Sequence, residues 1–141
     1  MTNPRFDVAG IGNAIVDVLT QTDDAFLERE GLAKGAMTLV DEAQAAAVYD
    51  KAGPAMECSG GSAANTIAVM ARLGAKCAFM GKVKDDAFGR IFGHDIRSLG
   101  VHFDTAAATD GPATANCLVL VTPDAQRTML TYLGASIHLK P

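Results

Sequence analysis

From Phe6 to Gly12 the chain reads as a short buried strand ending in glycines, and Ala14 to Thr20 as a β-rich run built on Ile15, Val16, Val18 and Leu19. Asp23 or Asp24 is placed to cap a short helix through Glu30, with Gly31 at its C-terminal end. Ala36–Val40 is a further strand candidate. Asp41 is an N-cap for an alanine-rich helix to about Lys51, stopped by Gly53-Pro54. Met56–Gly61 leads into the strongest helix, Ser62–Leu73, where Ala64, Ile67, Ala68 and Ala71 keep the i, i+3, i+4, i+7 spacing of one buried face. Gly74 ends it. Cys77–Val83 predicts a strand, Asp85 or Asp86 opens a helix through Leu99, and Val101–Thr105 predicts a short strand. Ala115–Val121 and Thr128–Leu133 predict two strands joined by the hairpin-like loop Thr122–Arg127.

Strands alternating with helices imply an α/β fold: a mostly parallel sheet with helices on both faces. The β-rich stretches near 14–40 and 115–133 interrupt that alternation. They are distant in sequence but able to pair as one small sheet at the edge of the main one. Neither a repeat nor a low-complexity linker divides residues 1–141.

Composition narrows the function classes. Apolar residues make up 49% of the chain, enough for a core, and charged residues 20%, near the globular average. The 12 basic and 16 acidic residues are well mixed, so the basic stripe of a nucleic-acid binder is missing. Cys58, Cys77 and Cys117 are odd in number and far apart, which points to free thiols and to neither disulfides nor a cysteine-based metal site. Met1–Asp7 carries no apolar leader, and no apolar run reaches the ~18 residues of a membrane span. A reducing, cytoplasmic setting is the expectation. His94, His102 and His138 share no spacing and read as helix-surface and loop residues.

Four stretches invite a chemical reading. Gly10-Ile-Gly12 follows a strand, but a dinucleotide fingerprint needs glycine at 15, where Ile15 stands, and a helix next, where a β-rich run follows. Gly81-Lys82 is followed by Val83 in place of Ser or Thr, so it is not a P-loop. Asn13, Ile15 and Asp17 are more informative, because even spacing on a strand puts them on one side. A carboxylate there could accept hydrogen bonds from two vicinal hydroxyls of a sugar. Equally, Asn13 could cap a turn and Asp17 be solvated. In Ser59-Gly-Gly-Ser-Ala-Ala-Asn65, glycines at the mouth of a helix would let a ligand approach the backbone and its unpaired N–H groups. The plain alternative is a tight strand-to-helix turn.

Gly60-Gly61-Ser-Ala-Ala-Asn65, Arg72-Leu-Gly74, Phe79-Met-Gly81-Lys-Val83 and Asp86-Ala-Phe-Gly89 together resemble the N-terminal signature of the ribokinase and adenosine-kinase superfamily, the PfkB-type carbohydrate kinases. Lys84 stands where that family often has glycine. The spacing Asn13-x-x-x-Asp17, with Ser62 after Gly61, resembles the adenosine-kinase side. The resemblance implies a ribokinase-like α/β fold with a β-lid from residues 14–40 and 115–133. It implies that Asn13, Asp17, Gly60, Gly61 and Asn65 hold a ribose. Ile15, Met37, Cys117 and Leu133 would wall a base-sized apolar pocket, and Arg127 would sit near the transferring phosphate.

Adenosine is then favoured over a free sugar, with ATP and Mg2+ as expected cofactors. The family's glycine-rich Asp-Thr-x-Gly-Ala-Gly-Asp motif, which carries the general base, does not occur in these 141 residues. The chain therefore reads as the sugar-binding half of such a kinase, with no catalytic residue and no metal ligand of its own. It is expected to associate with itself or with a complementary C-terminal half through the sheet edge near Val101. The rival readings are another sugar kinase of the superfamily, such as a ribokinase, fructokinase or ketodeoxygluconate kinase, or an inactive binding or assembly fragment.

Overall fold

The computed structural model describes residues 5–140; Met1–Pro4, part of the segment read as lacking a leader, and Pro141 lie outside the described residues. The elements in chain order are β1 (Val8–Ile11), β2 (Ile15–Gln21), α1 (Asp24–Arg29), β3 (Met37–Leu39), α2 (Glu42–Tyr49), β4 (Ala55–Gly60), α3 (Ser62–Arg72), β5 (Cys77–Met80), α4 (Ala87–Ser98), β6 (Ala115–Val121) and β7 (Arg127–Tyr132), then a short 3-10 helix at Gly134–His138.

The helix starts follow their caps. The Asp23 carboxylate accepts from Phe26 N–H at 2.8 Å. Asp41 accepts from Gln44 N–H at 2.8 Å while the Gln44 side chain accepts from Asp41 N–H at 3.1 Å, a complete capping box. Asp86 accepts from Gly89 N–H at 2.8 Å. Gly74, with φ +98°, lies just past the end of α3, where a left-handed residue closes the last turn.

Two sheets result. β1 and β5 form a parallel pair, extended by a single bridge from Ala78 to His102. The second sheet has five strands in the order β3-β7-β6-β2-β4. In it β2 runs parallel to β6 and β3 to β7, while β2–β4 and β6–β7 are antiparallel. The stretches near 14–40 and 115–133 thus do pair with each other. Their sheet is mixed and, among the described residues, larger than the parallel pair it was expected to fringe. β4 was not anticipated as a strand: Ala55–Gly60 has no β-branched residue, and its one strand partner is β2, along the sheet edge. The strand expected at Val101–Thr105 is reduced to that one bridge, although Val101 and Phe103 are buried.

The five-stranded sheet has two unlike faces. Val16, Val18, Leu118, Leu120 and Leu130 point inward and pack with Phe92 and Ile96 of α4, Val48 of α2, and Phe26 and Leu27 of α1. Phe79, Phe92 and Phe103 meet at ring-centroid distances of 5.8, 6.1 and 5.3 Å and join this sheet's core to that of the parallel pair. Each ring so buried contributes about 1.5–3 kcal/mol. The other face carries Ile15, Asp17 and Leu19 of β2, each half-buried or exposed, between the buried Val16, Val18 and Thr20. At its margins Met37, Leu39 and Met56 are exposed.

Two connections lead from this sheet into the parallel pair and its helix, and they touch. The turn Gly12–Ala14 joins β1 to β2, and Gly60-Gly61 joins β4 to α3. A Cβ at Gly61, whose φ is +96°, would stand 2.7 Å from the Asn13 carbonyl oxygen, so only glycine allows the two segments to lie this close.

A third junction rests on Asp86. Besides capping α4, its carboxylate accepts from the N–H of Thr114 at 2.9 Å and from its hydroxyl at 2.7 Å. This fixes the start of β6 against α4 and leaves Asp86 the structural cap it was read as. Lys84, the departure from the family's glycine, keeps an ordinary φ and donates its ammonium to the Gly111 carbonyl at 2.7 Å.

Candidate substrate site

Asp17 lies at the middle of β2, on the face turned away from the core. In register it stands between Cys58 of β4 and Cys117 of β6; the same row continues through Thr131 of β7 to Leu39 of β3. The next row holds Gly60 opposite Ile15. A Cβ on Gly60 would overlap the Asp17 carboxylate group, so that side chain lies directly over the glycine. Gly61 adjoins it, and the ideal Cβ position there is 3.9 Å from the Ile15 Cβ. Asp17 and the glycine pair therefore share one side of the sheet.

Gly61 is the N-cap position of α3 and offers no side-chain oxygen to the first turn. The first intrahelical bond runs from Asn65 N–H to the Gly61 carbonyl at 2.8 Å, so the N–H groups of Ser62, Ala63 and Ala64 precede the helical ladder. Asn65 is exposed one turn into α3, and Asn13 is exposed just before β2. Asn13, Ile15 and Asp17 thus come from one chain segment and Gly60, Gly61 and Asn65 from another, and the two segments touch at Asn13 and Gly61.

The electrostatics of this cluster centre on one group. No hydrogen bond or ion pair to Asp17 occurs among the described residues, and burial raises its carboxyl above the ordinary carboxylate value. Both neighbouring thiols are pushed up as well, Cys58 and Cys117 chiefly by burial and further by the Asp17 charge. They stay neutral near pH 7 and behave as small apolar groups beside the carboxylate. The three cysteines are free; Cys77 and Cys117 are buried, whereas Cys58, expected to be buried too, is half-buried at the sheet edge.

The predicted wall residues divide. Cys117 and Ile15 adjoin Asp17. Met37 pairs with Met129, in the row that reaches Leu19, one step away along the sheet. It is Leu39 that shares the row of Asp17. Leu133 follows the last paired residue of β7 and is half-buried. Arg127 is not brought to this cluster: it pairs with Val121, which pairs with Gln21, four residues along β2 from Asp17. At roughly 3.3 Å per residue that is about 13 Å along the strand, and two strands across. Cys58 and Leu39 were missed because a single strand shows which residues share its face but not which rows they join. Among the described residues no group of three or more His, Cys, Asp or Glu side chains could hold a metal ion, and no helix is long and apolar enough to cross a membrane.

The architecture is that of the ribokinase-like α/β fold, built from its N-terminal elements. The pfkB carbohydrate kinase family model matches residues 36–141, and the chain belongs to that family. The adenosine kinase of Sinorhizobium meliloti superposes with a TM-score of 0.89 at 51% identity, covering 98% of this chain and 42% of that one. A probable sugar kinase of Rhizobium etli does so at 0.89 and 48%, covering 97% and 42%. Among curated relatives, a fructokinase of Solanum tuberosum is 33% identical over 84 residues, which is 60% of this chain and 26% of that enzyme. The chain therefore spans well under half the length of these proteins.

Proposed function

We propose that these residues form the sugar-binding half of a nucleoside kinase, whose complete form transfers a phosphoryl group from ATP to a ribosyl hydroxyl. The observation that carries this reading is Asp17: a half-buried carboxylate with no internal partner, lying over the glycine pair that opens α3. A desolvated, unpartnered acceptor with two oxygens suits a ligand offering two adjacent hydroxyl donors. Asn13 and Asn65 add amides on either side, and the bare backbone at Gly60-Gly61 lets a ribose ring settle against the sheet. Holding the sugar fixed is what phosphoryl transfer asks of this half, since positioning and charge stabilisation carry most of that chemistry.

Ile15, Cys58 and Cys117 adjoin the carboxylate on the same face as small or apolar groups, which favours a ligand with a base over a free sugar. The likeness to an adenosine kinase supports adenosine. The likeness to fructokinases keeps a free hexose as the second reading. The described residues do not assemble an ATP or Mg2+ site: Arg127 stands apart from the cluster, and the general-base motif is not among the 141 residues.

Calorimetric titration of the full chain with adenosine, ribose and fructose distinguishes the readings. Adenosine is expected to bind most tightly. Uptake of fructose or ribose with none of adenosine would reverse the order.

A further inference from the structure

Asp95 lies on α4, far in sequence from every residue placed in the candidate site. Its carboxylate nonetheless accepts a hydrogen bond from the backbone N–H of Ser59 at 3.0 Å. Ser59 precedes Gly60-Gly61, and β4 is an edge strand of the sheet, paired only with β2. An outward amide on an edge strand has no ladder partner of its own. Asp95 supplies one, at the last position before the backbone turns through the glycines into α3.

The anchor is itself well held. Phe92 and Ile96, three residues before and one after Asp95, are fully buried, and α4 packs directly on β4 and β2. The second carboxylate oxygen meets His94 Nδ1 at 3.3 Å, so the group is oriented from both sides. Gly60 and Gly61 carry no side chains to fix their own position, and Gly61 has no cap hydrogen bond. The nearest polar tether upstream of them is the one Asp95 makes.

We infer that Asp95 is a positioning residue for the sugar-binding turn: it touches no ligand and sets where the Gly60-Gly61 backbone stands relative to Asp17. This inference rests on the proposed sugar site for its functional consequence, but its structural core stands apart from it. The chemistry asks only for an acceptor oxygen, which Asn also provides and Ala does not.

The test uses the full chain as wild type, Asp95→Ala, Asp95→Asn and Asp17→Ala. Amide hydrogen exchange is followed residue by residue, and adenosine affinity is measured by calorimetry. For Asp95→Ala, exchange at Ser59 to Gly61 is expected to speed up about tenfold, with β5 unchanged, as loss of one charge-assisted hydrogen bond implies. Its adenosine Kd is expected to rise about five- to tenfold, and Asp95→Asn to stay within about twofold of wild type in both readouts. Unchanged exchange at Ser59–Gly61 in Asp95→Ala overturns the inference. So does a uniform rise across the whole chain, or an Asn variant no better than Ala, because each would make Asp95 a general stabiliser. If adenosine affinity is the same in wild type and Asp17→Ala, the sugar-site reading falls, and the local exchange pattern still decides the role of Asp95.

Discussion

Replacing Asp17 by Asn is expected to weaken adenosine binding while making the fold more stable. The binding loss follows from the proposed site, where the carboxylate would accept from two ligand hydroxyls at once, whereas an amide offers one acceptor and an NH2 group that opposes the second hydroxyl. Asp17→Ala removes both acceptors and is expected to cost about 1.5–3 kcal/mol of binding, the range for hydrogen bonds to a charged group.

The stability gain follows from burial, the cause that raises the Asp17 carboxyl above its ordinary value. The folded protein therefore holds this proton more tightly than the unfolded chain does. Such a group's contribution is fully present below the unfolded value of 3.8 and is lost as pH rises through the raised folded one. At neutral pH the ionised, half-desolvated carboxylate is thus a cost to folding that Asn does not incur. Thermal unfolding of the two proteins should show Asn melting higher at pH 7, with the gap closing as pH falls through the raised folded value toward 3.8. Equal melting temperatures at pH 7 with equal adenosine affinity would remove Asp17 from the site.

Asp86→Ala is expected to be the most damaging single change at the junction of α4 and β6. Three hydrogen bonds converge on this carboxylate: the N-cap bond from Gly89 N–H and two from Thr114. Thr114 is fully buried. Losing the cap costs ~1 kcal/mol, and leaving the amide and hydroxyl of a buried threonine short of an acceptor costs ~1–3 kcal/mol more. The expected total is about 2–4 kcal/mol, a large share of the ~5–15 kcal/mol that holds a domain folded.

The glycine that closes the same motif has a distinct physical reason. A Cβ at Gly89 would run into the Lys84 carbonyl, which is backbone and cannot swing aside, and would approach Thr114 Oγ1 at 3.1 Å. Urea unfolding of Asp86→Ala measures the effect, and a loss under about 1 kcal/mol would mean that Thr114 finds other partners.

Local signals carried far along this chain. Asp23, Asp41 and Asp86 mark their helices because an N-cap is decided within four residues. The alternation from Ala14 to Thr20 gave the two faces of β2 because one strand's period needs no partner. The limits fall where pairing decides. β4 is a strand only because β2 lies beside it, and its composition of Ala, Met, Glu, Cys, Ser and Gly carries no β preference. Val101 and Phe103 have the opposite history: β-prone and buried, they find only one bridge. Within the proposed site, spacing and resemblance name Asn13, Asp17, Gly60, Gly61 and Asn65. That Cys58 flanks Asp17, and that Leu39 and not Met37 lies in its row three strands away, depends on the register of five strands. The distance of Arg127 from Asp17 depends on it too.

The two unlike faces of β2 also bear on how such a chain can change over generations. Val16 and Val18 are committed to the core, and a change there would be penalised in folding whatever the ligand. Ile15, Asp17 and Leu19 alternate with them but touch none of that packing. Their strand neighbours Met56 and Cys58 sit on the same outer face. Substitutions at every second position of β2 can therefore reshape the outer face with little demand from core packing, the Asp17 charge aside. The strand keeps its inheritance on one side and its experiments on the other.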